Sequence, residues 1–474
     1  MKRKLTQIAE YRGALLSLLL CGCVSSWEGP GKAPIASARV EPRVAVGASV
    51  TLDGSASFDP EGAELFFQWK LFAAPVGSAA KPFERTATTA GISPDVEGPY
   101  VVGLEVTDPS GLTGRDLAQF EASGMSSPGV PWFDPAPGSA WARRRRIQID
   151  NSNLSEELVE FPVLVVLDAA RIDHALAQAG GRDLRFVDQQ HNGTLAHEIE
   201  LWDPDGKSYV WVKLPRIAPA GAAAAFHMYY ANPDAADGQA VADVWKNRYQ
   251  AVYHLATGKD ATGHGLDGTV HGSSALPAVL GLGQSFVKSQ SQFIDLGKDR
   301  PIFQGVAGCT LSAWIKPRGF AEWDTIVGFS VHIAGTTYSR ASLALRANGT
   351  VAIIGTAADD GSWKALDSPA LTPNAWVHVT GVNVFQSNTQ VLYLDGVQKA
   401  FTASASFPSP ATPTTTPAGG AIGSQETLAG GYFDGQIDEI RLSHGVFSPA
   451  WVAADYHSMT DTLLTFGEEE RKTP

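Results

Sequence analysis

At 474 residues the chain exceeds one typical domain, and two to four are expected. A hydrophobic content of 44% excludes a disordered chain, and a net charge of −13 argues against nucleic acid, whose phosphates would be repelled. Gly (48) and Pro (29) are abundant, which suits many turns between short strands.

The chain opens on a basic head, Lys2, Arg3 and Lys4, and then the apolar run GALLSLLL. That run is far shorter than the roughly 20 apolar residues of a membrane span, so it reads as an export signal. Leu20-Cys21-Gly22-Cys23 resembles the lipobox of bacterial lipoproteins, with Leu20 three residues before Cys23 and the small Gly22 just before it. The resemblance implies a signal peptide over residues 1–22, cleavage before Cys23 and lipid on that cysteine. The chain would then be exported and lipid-anchored in the bacterial cell envelope, at the outer membrane or cell surface. With Cys23 lipidated, Cys309 has no intramolecular disulfide partner.

Residues 33–123 alternate strand and turn patterns. Val50 and Leu52 alternate with polar neighbours; Leu65, Phe67, Trp69 and Leu71 share one strand face; Val102, Leu104 and Val106 repeat the period of two. The strings VGASVTLDGSASFDPEG, FFQWKL and GPYVVGLEVTDPSG resemble PKD-like immunoglobulin-fold modules of bacterial surface proteins. The resemblance implies a β-sandwich that acts as a spacer or adhesion unit, with Trp69 in its core.

Residues 124–140 form a Pro/Gly/Ser linker. Over residues 141–255 the ordered strings WARRRRIQIDN, DLRFVD, HEIELWD, VWVKLP, YYAN and VWKNRYQAVYHL resemble a β-rich domain of unknown function. That domain occurs in bacterial envelope proteins, often directly before a laminin-G-like module, and in some proteins related to ExbB-type proton channels. Residues 256–459 carry DATGHGLDGTV, CTLSAWIKP, WVHVTGV, VLYLDGVQ and YFDGQIDEIRLSHGVFS, in the order of the laminin-G-like, concanavalin A-like jellyroll. Cys309, Leu311, Ala313 and Ile315 share a face there, which makes Cys309 a small buried hydrophobe. FPSPATPTTTPAGG reads as a mobile surface loop, and residues 460–474 as a frayed tail. The chain is therefore expected to be all-β: an immunoglobulin-like sandwich, a β-rich middle domain and a concanavalin-like jellyroll sandwich.

Jellyrolls of this type also host glycosidases, which place carboxylates at alternate strand positions around one sugar bond. HEIELWD puts Glu198, Glu200 and Trp202 on one face, but outside the jellyroll. In the jellyroll, Asp434, Gln436 and Asp438 share a face if the strand is regular, and Gly435 can break that register with a bulge. Asp438 also shares a face with Ile440 and Leu442 in a regular strand, which favours a hydrogen-bonded structural carboxylate. No Gly-x-Ser-x-Gly elbow or His-Glu-x-x-His helix is present. His254, His264, His271 and His378 are scattered.

Calcium is the cofactor the resemblances admit, since such modules sometimes bind it with loop oxygens. Asp295, Asp395 and Asp434 lie near strand ends of the jellyroll, and Asp53, Asp59, Glu61 and Asp108 near those of the first module. Turn formation by Asp before Gly or Pro is the competing and favoured reading. Exposed aromatics can stack on the C–H face of a sugar, and Trp323, Trp363 and Tyr432 have loop-like settings. Arg143 to Arg146 read as the start of a strand whose arginines meet solvent or carboxylates, with anionic lipid or glycan as the alternative.

The sequence thus predicts a non-catalytic envelope lipoprotein that presents a jellyroll to a glycan or surface protein. A structural scaffold partnering an ExbB-type channel is the second reading, and a polysaccharide hydrolase the third.

Overall fold

The structure, a computed structural model, describes residues 31–472, apart from residues 47, 77, 83–84, 97, 124–131, 133–140, 189–192, 221–223, 334–335, 358–361, 415–416 and 426. The signal peptide, Cys23 and nearly all of the 124–140 linker lie outside the described residues. The chain divides into two compact units, Met1–Ser123 and Gly124–Pro474.

In the first unit one sheet orders Arg43–Ala45, Thr113–Ser123, Gly98–Thr107 and Phe66–Ala73, and a second pairs Val50–Asp53 with Thr89–Ile92. The period-two pattern holds: Trp69 is fully buried while its neighbours Gln68 and Lys70 are exposed. Tyr100 stacks on Phe120 at 5.1 Å in the same core. The aspartates at the strand ends make turns. Asp59 Oδ1 accepts from the Glu61 amide at 2.8 Å, and Asp108 Oδ1 from the Leu112 amide at 2.9 Å. Asp53 Oδ1 accepts from the Ser55 amide, and hydrogen bonds from Ser55 hold its carboxyl below the usual range.

The second unit joins the middle module and the jellyroll. Two sheets build the middle module. One orders Thr194–Leu195, Arg185–Asp188, Ala225–Tyr230, Arg143–Ile149 and Leu464–Arg471; the other orders His197–Leu201, Ser208–Ile217 and Leu158–Leu167. The jellyroll packs an eight-stranded sheet, centred on Gly435–Ser443 and Gly308–Pro317, against a seven-stranded sheet that runs from Thr269–His271 to Trp363–Asp367. Cys309 lies between them with Leu311, Ala313 and Ile315, and burial pushes its thiol up to about 12. The end of FPSPATPTTTPAGG is not loop: it forms part of strand Pro417–Ile422, which pairs with Asp324–Ile333.

The end of the chain corrects the expected boundary at 459. Residues Leu464–Arg471 are not a frayed tail but an antiparallel partner of Arg143–Ile149, with Glu469 opposite Arg145 and Glu470 opposite Arg144. Charge complementarity accounts for the register. Arg144 reaches Glu470 at 2.7 Å and Arg143 reaches Glu469 at 3.1 Å, so EEER answers RRRR. The carboxylate reading of the arginine run is the one observed for these two residues. The preceding helix, Pro449–Met459, is capped by Ser448, whose side chain accepts from the Trp451 amide. It lies on the middle module, with Ser458 Oγ accepting from the Leu164 amide at 2.7 Å and Trp451 meeting Phe161 edge-on at 4.9 Å. Trp451, Ala454, Leu463 and Leu464 share one core with Ile147 and Phe161. The middle module is therefore discontinuous, closed by sequence from beyond the jellyroll.

Candidate functional site

The seven-stranded sheet buries one face in the jellyroll core. On the other, Ala344, Ala352 and Ile354 form a low apolar floor, with Trp323 and Ala365 packed on it. Strand Trp363–Asp367 is the edge, and its register sets Trp363 opposite Thr356 and Ala365 opposite Ile354. Small residues on the floor let the large rings stand above the sheet. Trp323 and Trp363 meet edge-to-face, with centroids 5.6 Å apart and planes at 89°. Trp363 is 47% exposed. The Arg346 guanidinium lies 4.1 Å above the Trp323 ring and pairs with Glu322 at 2.8 Å and Asp367 at 3.8 Å. This is an apolar aromatic step beside a polar rim, which suits a ligand with one apolar face and hydroxyls at its edge.

Of the three aromatics expected from the sequence, the structure brings Trp323 and Trp363 together. The Gly431 carbonyl beside Tyr432 accepts from the Thr325 amide at 2.8 Å, so this loop abuts the Trp323 strand. The Tyr432 ring itself packs towards Phe293 at 6.2 Å, and its hydroxyl donates to the Leu428 carbonyl. Arg346, which completes the polar rim, had no sequence signal beyond its charge.

The three jellyroll aspartates do not converge. Asp295 Oδ1 accepts from the Gly297 amide at 2.8 Å, and Asp395 Oδ1 from the His378 amide at 3.0 Å. Asp434 pairs with Arg318 at 2.9 Å. Each is engaged by a backbone amide or an ion pair at its own place in the fold.

A second constellation lies at the seam between the modules, where Trp211, Trp245, Tyr249, Val252 and Trp314 form a shared apolar layer. Glu198 and Glu200 do point the same way, as their spacing predicts. Trp202 does not: the register shifts between Ile199 and Leu201, and its ring packs on His174 at 4.9 Å. It also lies over Gly181, whose φ of 68° favours glycine and where a Cβ would stand 2.7 Å from the indole. Trp211 Nε1 donates to Glu200 Oε2 at 2.8 Å, and Trp245 Nε1 donates to Glu198 Oε2.

The jellyroll supplies the other half, and the expected boundary after residue 255 is corrected here: strand Ala251–Tyr253 belongs to the jellyroll sheet, where it pairs with Gly435–Ser443 and delivers His254 to the two glutamates. His254 Nε2 lies 3.2 Å from Glu198 Oε2, and Nδ1 lies 3.4 Å from Glu200 Oε2 and in contact with Glu439 Oε1. Arg441 bridges Glu439 and Asp455, each at 2.7 Å, with the indoles of Trp211 and Trp245 at 4.3 and 5.1 Å.

A bulge makes this possible. Trp314 lies opposite Asp438 and Ser312 opposite Arg441, so two strand residues, Glu439 and Ile440, face one, and Glu439 takes a φ of 50°. Ile437, Ile440 and Leu442 stay in the core, while Asp438, Glu439 and Arg441 face the seam. The expectation that Asp438 shares a face with Ile440 and Leu442 is thus corrected. Its structural role stands: Asp438 Oδ2 accepts from the Leu280 amide at 2.9 Å and the Val279 amide at 3.1 Å.

Burial dominates the electrostatics. It would discharge His254, but Glu439, Glu198 and Glu200 hold the imidazole well above its usual range. Burial raises Glu200 well above an ordinary carboxylate despite the pull of His254, and burial with repulsion from Glu439 raises Asp438 to about 8. Glu439 resists its own burial and stays low because His254 and Arg441 flank it.

Ligand atoms of Glu200, His254 and Glu439 lie within 4.8 Å of one another, a spacing that a metal ion could bridge. The donor chemistry does not fit one. Its donors are already engaged with one another: each imidazole nitrogen of His254 faces a carboxylate, and Arg441 pairs with Glu439. The glutamate pair is also closed to a polysaccharide, with side-chain exposures of 10% for Glu198 and 5% for Glu200.

The fold and this geometry define a multi-module β-protein with a concanavalin A-like jellyroll at its C-terminal end. Comparison with known families agrees. The profile described as the concanavalin A-like lectin/glucanases superfamily matches residues 288–453, and that of a domain of unknown function (DUF2341) matches residues 180–253. No curated protein matches the chain. Among solved structures, the binding domain of Paraclostridial Mosquitocidal Protein 1 is 13% identical with a TM-score of 0.34, covering 45% of this chain and 52% of its own. The chain thus spans about half the length of that relative. The CBM40 of a Ruminococcus gnavus sialidase, bound to sialyllactose, is 16% identical (TM-score 0.28; 32% of this chain, 83% of its own). The PKD1 domain of Vibrio anguillarum Epp is 23% identical (TM-score 0.16; 20% of this chain, 98% of its own).

Proposed function

We propose that the protein is a non-catalytic cell-envelope lipoprotein whose jellyroll binds carbohydrate through Trp363 and Trp323. The observation that carries this reading is the exposed, edge-on indole pair beside Arg346, Glu322 and Asp367. A pyranose C–H face would stack on Trp363, and the charged rim would take its hydroxyls. The non-catalytic part is supported by the burial of Glu198 and Glu200 and by the backbone bonds that occupy Asp438. The matching family contains both lectins and glucanases by its description, so the site, not the fold, carries the choice.

Replacing Trp363 with Ala should weaken glycan binding about tenfold, the effect of losing roughly 1.4 kcal/mol, and leave the unfolding temperature within a degree or two. Unchanged affinity would move the ligand elsewhere on the jellyroll.

The envelope location rests on the lipobox-like Leu20-Cys21-Gly22-Cys23. Cys23→Ser should release the protein from the membrane fraction of its host; retention there would defeat the lipid-anchor reading.

A further inference from the structure

The charged groups at the seam are not used by the proposed binding surface. They join strand His197–Leu201 of the middle module to strands Ala251–Tyr253 and Gly435–Ser443 of the jellyroll sheet. We propose that His254, clasped by Glu198, Glu200 and Glu439, is a pH-sensitive latch that holds the two modules together on the acid side of neutrality and loosens as the pH rises.

The geometry singles out His254. Its imidazole touches carboxylates of both modules: Glu198 and Glu200 on one side, Glu439 on the other. Arg441, the second cation, pairs with Glu439 and with Asp455 from helix Pro449–Met459. Asp438 faces the same seam from the bulged strand, and Tyr209 from strand Ser208–Ile217 feels both Glu200 and Asp438. Tyr249, beside Arg441, and His378, kept neutral by burial and by Arg441, complete the titratable groups around it. With His254 neutral, Glu198, Glu200, Glu439 and Asp455 would share one guanidinium in a nearly dry layer. Such an excess of buried like charge is relieved either by protons or by separation of the modules.

Four groups push in the same direction, the fourth being Asp455, whose carboxyl is raised by burial against the pull of Arg441. His254 is raised, so its contribution is complete below its ordinary 6.5 and is lost as the pH climbs through its higher folded value. Glu200 and Asp438 are carboxyls with raised values. The unfolded chain releases their protons near 4.5 and 3.8 while the folded chain keeps them longer, so stability falls with rising pH, for Asp438 up to about 8. Glu439 is lowered and works the opposite way, but its window lies below 4.5; His378, His197 and His444, lowered chiefly by burial, also work the opposite way, with windows that end at 6.5. Above 6.5, where those histidines are neutral in both states, the seam therefore weakens steadily towards pH 9.

The test is thermal unfolding of the whole chain from pH 6.5 to pH 9, with amide hydrogen exchange at the two ends of that range, corrected for the intrinsic pH dependence. The unfolding temperature of the Gly124–Pro474 unit should fall by about 5 °C, and protection should drop at residues 197–201 and 251–254 before it drops in the jellyroll core. The double variant Glu200→Gln, Asp438→Asn carries neutral side chains at every pH, so at least half of the fall should disappear. A flat wild-type profile, or a double variant that falls in parallel with wild type, would overturn the proposal. So would exchange that spreads evenly over the unit, a readout that needs no variant to fold.

Discussion

Truncation after Met459 is expected to abolish cooperative folding of the Gly124–Pro474 unit. The missing residues include Leu463 and Leu464, both in the middle-module core, and the strand that pairs with Arg143–Ile149. Burial of a leucine is worth about 1.5–3 kcal/mol. Arg144, only 3% exposed, would lose Glu470, and a buried charge stripped of its partner costs about 3–5 kcal/mol. The sum, roughly 6–11 kcal/mol, is comparable to the whole stability of an ordinary domain. Circular dichroism and urea unfolding of the 1–459 fragment would check it. A fragment that unfolds cooperatively at the wild-type midpoint would show that the last strand is dispensable.

The second large effect is expected at Arg441. Arg441→Met removes the only partner that Asp455 has among the described ion pairs and half of the neutralisation of Glu439, within a layer closed by Trp211 and Trp245. The expected loss is about 3–5 kcal/mol, read as a drop in the urea midpoint. The triple variant Glu439→Gln, Arg441→Met, Asp455→Asn should recover much of it, because neutral groups replace the whole network. A single variant within 1 kcal/mol of wild type would mean the network carries little stability.

The sequence was legible where the physics is local. Alternation assigned the strand faces of Trp69 and Cys309, and the separate strings of the jellyroll came out in the expected order. Trp323 and Trp363 were picked for their settings, and the fold pairs them across a floor of small residues.

What stayed hidden depends on long-range pairing or on a broken period. RRRR and EEER were both visible as charge runs, but more than three hundred residues separate Arg144 from Glu470, and nothing local says that they meet. Period-two reasoning failed at Trp202 and again at Glu439, because each register shift sends the following side chains to the opposite face. The signal for the second was the Asp438-Glu439 pair itself. Two adjacent acids on strand Gly435–Ser443, which carries Ile437, Ile440 and Leu442 into the core, leave one facing that core unless the strand bulges. His254 is scattered in the sequence because its three glutamates are distant along the chain, Glu198 and Glu200 on the middle module and Glu439 on the jellyroll.

The central claim is that the jellyroll reads carbohydrate through Trp363 and Trp323. The most direct measurement is a broad glycan array, probed with wild type and with Trp363→Ala, in calcium and again in a chelator. Binding to a defined glycan set is expected to survive the chelator, because Asp295, Asp395 and Asp434 are engaged by backbone amides and an ion pair, and to weaken about tenfold in the variant. No glycan bound by wild type, or equal binding by Trp363→Ala, would contradict it and shift the weight to a protein partner.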